Sequence, residues 1–159
     1  MPEIKGIRLS EYLRTIYNGA LKNTDIDAPA VSPFLFKRFI KKYLEELKID
    51  EIFLDRELNV GFSGGEKRKI EILQMKLIGP SYIILDEIDS GLDLDAFKTV
   101  AELLQNISTP SNCIIIITHH FKILDYIPVD QVYVLNNGVV AKSGGKELVA
   151  EIGEKGFDW

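Results

Sequence analysis

The sequence is poor in several residue types, and each shortage narrows what the chain can be. Among its 159 residues there is one cysteine, Cys113, and there are two histidines. Iron–sulfur clusters typically take four protein ligands, so this thiol, in an apolar segment that predicts a buried strand, is expected to be structural. No iron–sulfur cluster is expected on the chain. The net charge of −5 gives no basic footprint for nucleic acid.

Long apolar runs are also missing. No apolar stretch approaches the roughly 18 residues that a membrane-spanning helix needs, so no transmembrane segment is expected. The beginning of the chain, PEIKGIRLSEYL, mixes charged and apolar residues and does not have the pattern of a secretory signal. The length suits one domain-sized unit with a real core. These features together predict a cytoplasmic α/β protein.

The most informative segment is residues 60–75, which read VGFSGGEKRKIEILQM. Ser63 precedes two glycines and Glu66 stands three residues after it, which is the spacing of a capping box at the start of a helix. Gly64 and Gly65 leave the first backbone N–H groups of that helix uncovered. These groups and the helix dipole form an anion site, although an ordinary capped helix after a turn is the alternative. The stripe expected to be buried on this helix consists of Ile70, Leu73 and Leu77.

A second segment, residues 81–96, reads SYIILDEIDSGLDLDA. Its apolar run from Tyr82 to Leu85 is typical of a strand buried on both faces in a parallel sheet. Asp86 and Glu87 follow at the carboxyl end, where open α/β sheets bind ligands. Since side chains alternate along a strand, Asp86 suits Mg²⁺, directly or through water, and Glu87 suits a general base for attack on a phosphate. A solvated acidic turn is the alternative.

A third segment, residues 112–120, reads NCIIIITHH. Residues 113–117 predict another buried strand because they are rich in β-branched side chains. Thr118, His119 and His120 follow it, on the same rim as the two carboxylates. One of these histidines can donate a hydrogen bond to a phosphate or orient a water; a polar loop that closes the strand is the alternative.

Taken together, these segments resemble the ATP-binding cassette ATPases. Residues 62–66 resemble the cassette signature, residues 82–87 the Walker B strand with its catalytic glutamate, residues 90–93 the D-loop, and His119 the switch histidine. The resemblance implies that nucleotide is bound in trans by the signature residues Ser63, Gly64, Gly65 and Glu66. It implies that the D-loop, which contributes to the site, consists of Ser90, Gly91, Leu92 and Asp93. It also implies that Asp86 holds Mg²⁺ and that Glu87 and His119 are catalytic.

Within that family, the chain is similar to the SufC-type ATPases of the SUF iron–sulfur cluster assembly machinery. The features that carry this resemblance are the D-loop segment DSGLDLDA, the run GFSGGEKRK leading into EILQM, and the C-terminal GFDW; transport cassettes usually carry SALD in the D-loop. The resemblance covers essentially all of this chain but about the last three-fifths of the family's chain. It implies ATP and Mg²⁺ as cofactors, a second ATPase subunit in a head-to-tail pair, and SUF scaffold subunits of the SufB and SufD type as partners.

The phosphate-binding P-loop of that family is not found. The motif G-x-x-x-x-G-K-[ST] wraps phosphates with backbone N–H groups and a lysine. The window 61–68 has Glu66 in place of the second glycine, and Gly145-Lys146 is followed by Glu147. The Q-loop glutamine and an upstream base-stacking aromatic are missing too, so the chain alone is expected not to hold ATP tightly.

Three hypotheses remain open from the sequence. The first is a SufC-like ATPase that is enzymatic only when a P-loop half is present. The second is a non-enzymatic module that docks on SUF scaffold subunits through its helical part. The third is an ATP-binding fragment of an ABC transporter. The D-loop and the C-terminal GFDW favour the first two.

The expected architecture is the C-terminal part of a P-loop NTPase fold of the ATP-binding cassette type. Residues 1–80 predict a helical subdomain that ends in the signature helix, with Ser10 capping its first helix and Ser32-Pro33 starting its second. Residues 81–159 predict the C-terminal part of the RecA-like nucleotide-binding core, with a partial, mostly parallel sheet. Its predicted strands lie at 81–86, 112–118, 131–135 and 139–142, and its helices at about 94–107, 121–127 and 145–154. Asn137-Gly138 predicts a tight hairpin between the last two strands.

Overall fold

The computed structural model describes residues 2–88, 94–119 and 121–156, without the side chains of residues 94–96, 99 and 155. The D-loop residues Ser90–Asp93 and His120 therefore lie outside the described residues. In chain order the elements are β1 (Ile4–Arg8), α1 (Leu9–Thr24), α2 (Pro33–Glu46), a 3₁₀ helix (Glu51–Asp55), β2 (Glu57–Leu58), α3 (Gly64–Ile78), β3 (Tyr82–Asp86), α4 (Leu94–Ile107), β4 (Cys113–Ile117), a 3₁₀ helix (Phe121–Asp125), β5 (Val132–Asn136), β6 (Val139–Gly144) and α5 (Glu147–Lys155).

The first two helices begin for different physical reasons. Ser32 caps α2, its Oγ accepting a hydrogen bond from the Leu35 N–H at 3.4 Å, with Pro33 in the first turn, as predicted. The prediction that Ser10 caps α1 is wrong, because α1 already begins at Leu9 and its N-cap residue makes no side-chain cap. The N–H of Leu9 instead donates to the carbonyl of Arg56 at 2.9 Å. A distant backbone group thus does what a capping side chain does elsewhere.

The helical part also contains a strand pair that the sequence did not predict. β1 and β2 pair antiparallel, with Ile4 opposite Leu58 and Arg8 opposite Glu57. The Gly6 N–H donates to the Glu57 carboxylate at 2.9 Å across the pair. This pair closes the segment before α1 onto the segment before α3.

The parallel pair β3–β4 is the only parallel ladder among the described strands. Its register runs without a break from Tyr82 opposite Cys113 to Asp86 opposite Ile117, which confirms both predicted strands. The described strands form three separate pairs rather than one mostly parallel sheet. Since parallel strands end at the same edge, the ends of β3 and β4 form one rim.

Burial of β3 and β4 differs from the prediction of strands covered on both faces. Ile83 and Leu85 are buried against the helices. On the other face Tyr82 is 77% and Ile84 67% exposed, and Ile115 and Ile117 are also exposed. Cys113, predicted to be buried, is exposed as well. The described helices cover one face of this pair, and within the described residues β4 has a hydrogen-bonded strand on one side alone.

The C-terminal hairpin forms as predicted. β5 and β6 pair antiparallel around Asn137-Gly138, and both residues take the left-handed backbone, with φ of 49° and 79°, that such two-residue turns require. Leu148 and Ile152 of α5 pack with Val134 in a small separate core. The hairpin also exposes apolar side chains, among them Tyr133 and Leu135.

The main core joins the helical part to β3 and β4. A single cluster of buried side chains extends from Leu9 to Ile127 and includes residues of all four helices α1–α4. Tyr17, Phe36, Phe39 and Tyr43 pack against one another at tilted or edge-to-face angles within its α1–α2 part. In the described residues, no helix is both long enough and apolar enough to cross a membrane.

We expect the isolated chain to self-associate at micromolar concentrations, because an open strand edge and an uncovered apolar face both recruit partners. Replacing Ile84 and Ile115 together by threonine, which keeps β-branching, should raise the monomer fraction measured by analytical ultracentrifugation. The control Ile7→Thr removes an exposed isoleucine from β1 and should change little. A wild-type chain that is a clean monomer with a sharp cooperative melt would contradict this expectation.

Candidate functional site

The first turn of α3 carries the predicted capping box. The Glu66 N–H donates to Ser63 Oγ at 3.3 Å, and the Ser63 N–H donates to Glu66 Oε2 at 2.7 Å. Ser63 and Gly64 are exposed and Gly65 is half-buried. A Cβ atom built at Gly64 would meet none of the described residues within 4 Å, so packing against them does not require a glycine there. The open helix start is therefore free to receive a group from outside the chain.

The opposite side of α3 is held firmly against the core. The predicted stripe of Ile70, Leu73 and Leu77 is buried. Gln74, which was not predicted to be buried, lies beside it; its Oε1 accepts from the Tyr12 hydroxyl at 3.1 Å and its Nε2 donates to the Ile70 carbonyl at 3.2 Å. The sequence did not indicate that Gln74 is buried, because a buried polar side chain needs hydrogen-bond partners and one of them, Tyr12, lies on another helix.

The basic residues that follow the signature are engaged by their own chain. Lys67 pairs with Glu3 at 3.3 Å, Arg68 with Glu71 at 2.7 Å, and Lys69 Nζ donates to the Lys48 carbonyl at 3.1 Å. Burial pushes the pKa of Glu71 up, but the groups that favour its charged form, led by the hydrogen bond from Arg68, lower that pKa below its ordinary value. These cations are thus already paired within the chain, whereas the Ser63 hydroxyl and the backbone at the helix start are exposed.

The carboxylate rim lies at the shared end of β3 and β4. Asp86 ends β3 with its side chain exposed, and the Glu87 N–H continues the ladder by donating to the Ile117 carbonyl at 2.9 Å. Glu87 then turns into the left-handed region, with φ of +46°, which costs a non-glycine residue about 1–3 kcal/mol. Its Oε1 lies 3.1 Å from His119 Nδ1, and both side chains are about half exposed.

The rim offers few protein ligands to Mg²⁺. The described residues contain no group of three or more histidine, cysteine, aspartate or glutamate side chains that could hold a metal. Mg²⁺ usually keeps several waters and binds one or two carboxylates together with substrate phosphates. Asp86, with one exposed carboxylate, fits that mode only when a nucleotide supplies the remaining oxygen ligands.

The structure brings some predicted residues together and keeps others apart. Glu87 and His119 meet, with Asp86 beside them on the rim. Ser63 and Glu66 bond each other in the first turn of α3. The described residues thus contain two candidate half-sites, a helix start and a carboxylate rim.

Comparison with curated proteins gives relatives over nearly the whole chain. No protein-family model matches it. The "Probable ATP-dependent transporter ycf16" of Cyanophora paradoxa is 46% identical over 99% of this chain and 60% of its own length. The "Probable ATP-dependent transporter slr0075" of Synechocystis is 43% identical over the same shares, and "Vegetative protein 296" of Bacillus subtilis is 40% identical over 99% of this chain and 59% of its own. The chain spans about three-fifths of the length of these relatives.

Comparison with solved structures gives a similar coverage. The dimeric structure of MJ0796, a bacterial ABC transporter cassette, matches with a TM-score of 0.67 at 17% identity, over 90% of this chain and 58% of that one. MJ1267, an ATP-binding cassette of an ABC transporter, matches with a TM-score of 0.68 at 23% identity, over 98% and 62%. A further dimeric structure of MJ0796, in a post-hydrolysis state, is bound to ADP and Pi. At these identities the likeness concerns the fold alone.

The reciprocal capping box predicts how α3 responds to substitution. Ser63→Ala should lower the free energy of unfolding by about 1 kcal/mol, the usual cost of losing an N-cap side chain. Glu66→Gln should change it little, because glutamine also closes a capping box. Ser10→Ala is the matched control, since Ser10 lies inside α1 and caps nothing, and it should leave stability unchanged or slightly raised. Urea unfolding measures all three, and equal losses from Ser63→Ala and Ser10→Ala would contradict the assignment.

Proposed function

We propose that this chain, which corresponds to part of an ATP-binding cassette ATPase, supplies one side of an ATP hydrolysis site whose P-loop another polypeptide segment carries. The observation that carries the proposal is the Glu87–His119 pair at 3.1 Å, beside Asp86, on the rim of a parallel strand pair. The fold is the predicted one, a partial P-loop NTPase fold of mixed helices and small, partly parallel sheets.

In the proposed chemistry, three side chains of the rim have different roles. Glu87 acts as the general base that takes a proton from the attacking water, which requires hydrogen-bond reach of that water. His119, bonded to one oxygen of Glu87, holds the carboxylate in place and leaves the second oxygen for the water. Asp86 would hold Mg²⁺, which when bound to nucleotide neutralises charge on the phosphates.

The helix start is proposed to serve a second site in trans. The uncovered N–H groups of Gly64 and Gly65, the Ser63 hydroxyl and the positive end of the helix dipole favour an anion such as the terminal phosphate of ATP. The exposure of Ser63 and Gly64 supports a head-to-tail pair in which each partner's signature closes over nucleotide held by the other.

The segment that supplies the P-loop is proposed to complete the sheet. Within the described residues β4 has one open edge, the isoleucines Ile84, Ile115 and Ile117 are exposed, and the β5–β6 hairpin exposes apolar side chains. An added strand and helix would cover surfaces of this kind. A strand added parallel to β4 would end on the same rim as Glu87 and His119, where a phosphate-binding loop follows its strand.

The proposed biological setting is SUF-type iron–sulfur cluster assembly, with scaffold subunits of the SufB and SufD type as partners. Its support is the D-loop DSGLDLDA and the C-terminal GFDW. Two of the relatives are named as probable ATP-dependent transporters. For this chain, that corresponds to the competing transporter hypothesis. Binding to purified SUF scaffold subunits discriminates between the two settings.

A second candidate, a non-enzymatic docking module, rests on the exposed surface of α2. Phe34 is 71% and Leu35 54% exposed in the first turn, and the side chains of Arg38 and Lys41 are exposed one and two turns further on. An apolar pair followed by cations, in a chain of net charge −5, suits a partner that presents acidic and apolar side chains. The docking surface could serve either candidate, so hydrolysis is the property that separates them.

Complementation tests the ATPase proposal. The chain should show no ATP-dependent thermal shift alone, whereas adding the P-loop-containing part of the Cyanophora relative that this chain does not span should restore hydrolysis. Glu87→Gln should then slow the rate by about 10²-fold, the usual scale for a general base. Glu102→Gln, at an exposed position on α4, is the matched control and should leave the rate unchanged.

Two results would contradict the ATPase proposal. One is saturable binding of micromolar ATP by the isolated chain, which would remove the need for a second polypeptide. The other is a complemented rate that Glu87→Gln does not change. A complemented complex that forms but never hydrolyses ATP, and still binds scaffold subunits, would favour the docking module.

The α2 surface predicts a charge-dependent interaction. Reversing Arg38 and Lys41 together to glutamate should weaken binding to SUF scaffold subunits at least about tenfold, since rim charges set much of partner recognition. The control reverses Lys22 and Lys98, two exposed lysines off α2, which gives the same change in net charge. Isothermal titration calorimetry measures both, and equal affinities would exclude this surface.

A further inference from the structure

Arg56, which the proposed mechanism does not use, lies against two aromatic rings just before the signature. Its guanidinium carbon is 4.8 Å from the centroid of the Phe53 ring and 4.7 Å from that of Phe62. The two rings meet edge to face, with centroids 4.8 Å apart. Phe62 is buried and is the residue directly before Ser63. The guanidinium therefore lies against the residue that directly precedes the proposed phosphate-binding turn.

The same guanidinium also bonds the turn that leads into the signature. Arg56 Nη2 donates to the Val60 carbonyl at 3.3 Å and to the Gly61 carbonyl at 3.2 Å. Gly61 has a left-handed backbone, with φ of +66°, and a Cβ built on it would lie 3.5 Å from Arg56 Nη2. A side chain at position 61 would thus make an ordinary van der Waals contact with the guanidinium, and it is the left-handed backbone that favours glycine there.

The backbone of Arg56 is itself anchored. Its carbonyl accepts from the Leu9 N–H at 2.9 Å, and its N–H donates to the Phe53 carbonyl at 3.1 Å. Leu9 is fully buried in the main core. A chain of direct contacts therefore runs from the core at the start of α1, through Arg56, to the carbonyls of residues 60 and 61 and the ring of Phe62.

We infer that Arg56 is a positioning residue, which fixes the orientation in which Ser63, Gly64 and Gly65 face the phosphate of a nucleotide held by another subunit. This inference rests on the proposed function of the signature. A guanidinium suits the task because it is planar for stacking on rings and carries several donors in a rigid fork. A lysine keeps the charge, but its compact ammonium does not reproduce the flat, multiply bonded contact. The sequence did not single out Arg56, because its contacts with the turn before the signature form only when the chain folds.

Arg14 provides a matched control elsewhere in the chain. It is an arginine of α1 whose Nη1 donates to a loop carbonyl, that of Val31, at 3.4 Å. Arg14→Lys and Arg56→Lys therefore make the same chemical change at an arginine–carbonyl contact, one away from the signature and one beside it.

Hydrogen exchange of the chain by itself tests the inference without relying on catalysis. The amides of Phe62, Ser63 and Glu66 are bonded within the turn and capping box, so a peptide covering residues 59–67 reports on its order. Arg56→Lys should speed exchange in this peptide about tenfold by easing local opening, and Arg14→Lys should not. Unchanged exchange in Arg56→Lys would overturn the inference. If Arg56→Lys unfolds the chain, exchange in the same peptide is measured in Phe53→Leu, which removes one of the two rings. Faster exchange in that variant supports the inference, and unchanged exchange overturns it.

The complemented ATPase provides the readout that a merely structural role would not move. Because the P-loop of another polypeptide binds the nucleotide, Arg56→Lys should lower kcat about tenfold while the KM for ATP changes little. Arg14→Lys should leave both unchanged. A rise in KM with kcat intact, or equal effects of the two variants, would overturn the inference. If the wild-type assembly never hydrolyses ATP, the proposed function fails on its own, and the exchange experiment still decides whether Arg56 orders the turn.

Discussion

The parallel pairing of β3 with β4 is the interaction on which the rest of the site depends. Its unbroken register ends both strands at the same level, and the bond from the Glu87 N–H to the Ile117 carbonyl carries the ladder one residue further. A carboxylate and an imidazole that are far apart in the sequence therefore meet at 3.1 Å. A slip of one residue would send each side chain to the opposite face and separate them.

The two half-sites are stabilised in different ways. The helix start of α3 is held by local bonds of the capping box and by a well-packed helix behind it, so its shape belongs to this chain. The rim stands on two strands with one uncovered face and includes a left-handed residue, Glu87. Among the described residues, the β3–β4 ladder and the Glu87–His119 bond hold it. A locally bonded helix start and a rim on a partly uncovered strand pair are consistent with the proposed division of the site between polypeptides.

Local chemistry explains what could be predicted from the sequence. The capping box of α3, the start of α2 at Ser32-Pro33 and the Asn137-Gly138 hairpin each rest on neighbouring residues, and all formed as expected. The β1–β2 pair and the start of α1 were missed because they depend on contacts between residues far apart, such as the Gly6–Glu57 bond across 51 positions. The apolar pattern of β3 and β4 predicted burial on both faces, yet one face is open. The pattern suits strands that are covered on both faces, whereas the described residues cover one face only.

Cys113 acquires a new significance from its place on that open face. It begins β4 opposite Tyr82, and it is exposed. A segment that covered the face would shield its sulfur from water, and removal of the segment would expose it again. Since the chain has no other cysteine, the rate at which a thiol reagent modifies it is a direct optical or mass-spectrometric measure of whether the sheet is complete. Cys113, which was predicted to be buried and structural, is thus a reporter of whether another segment covers the sheet.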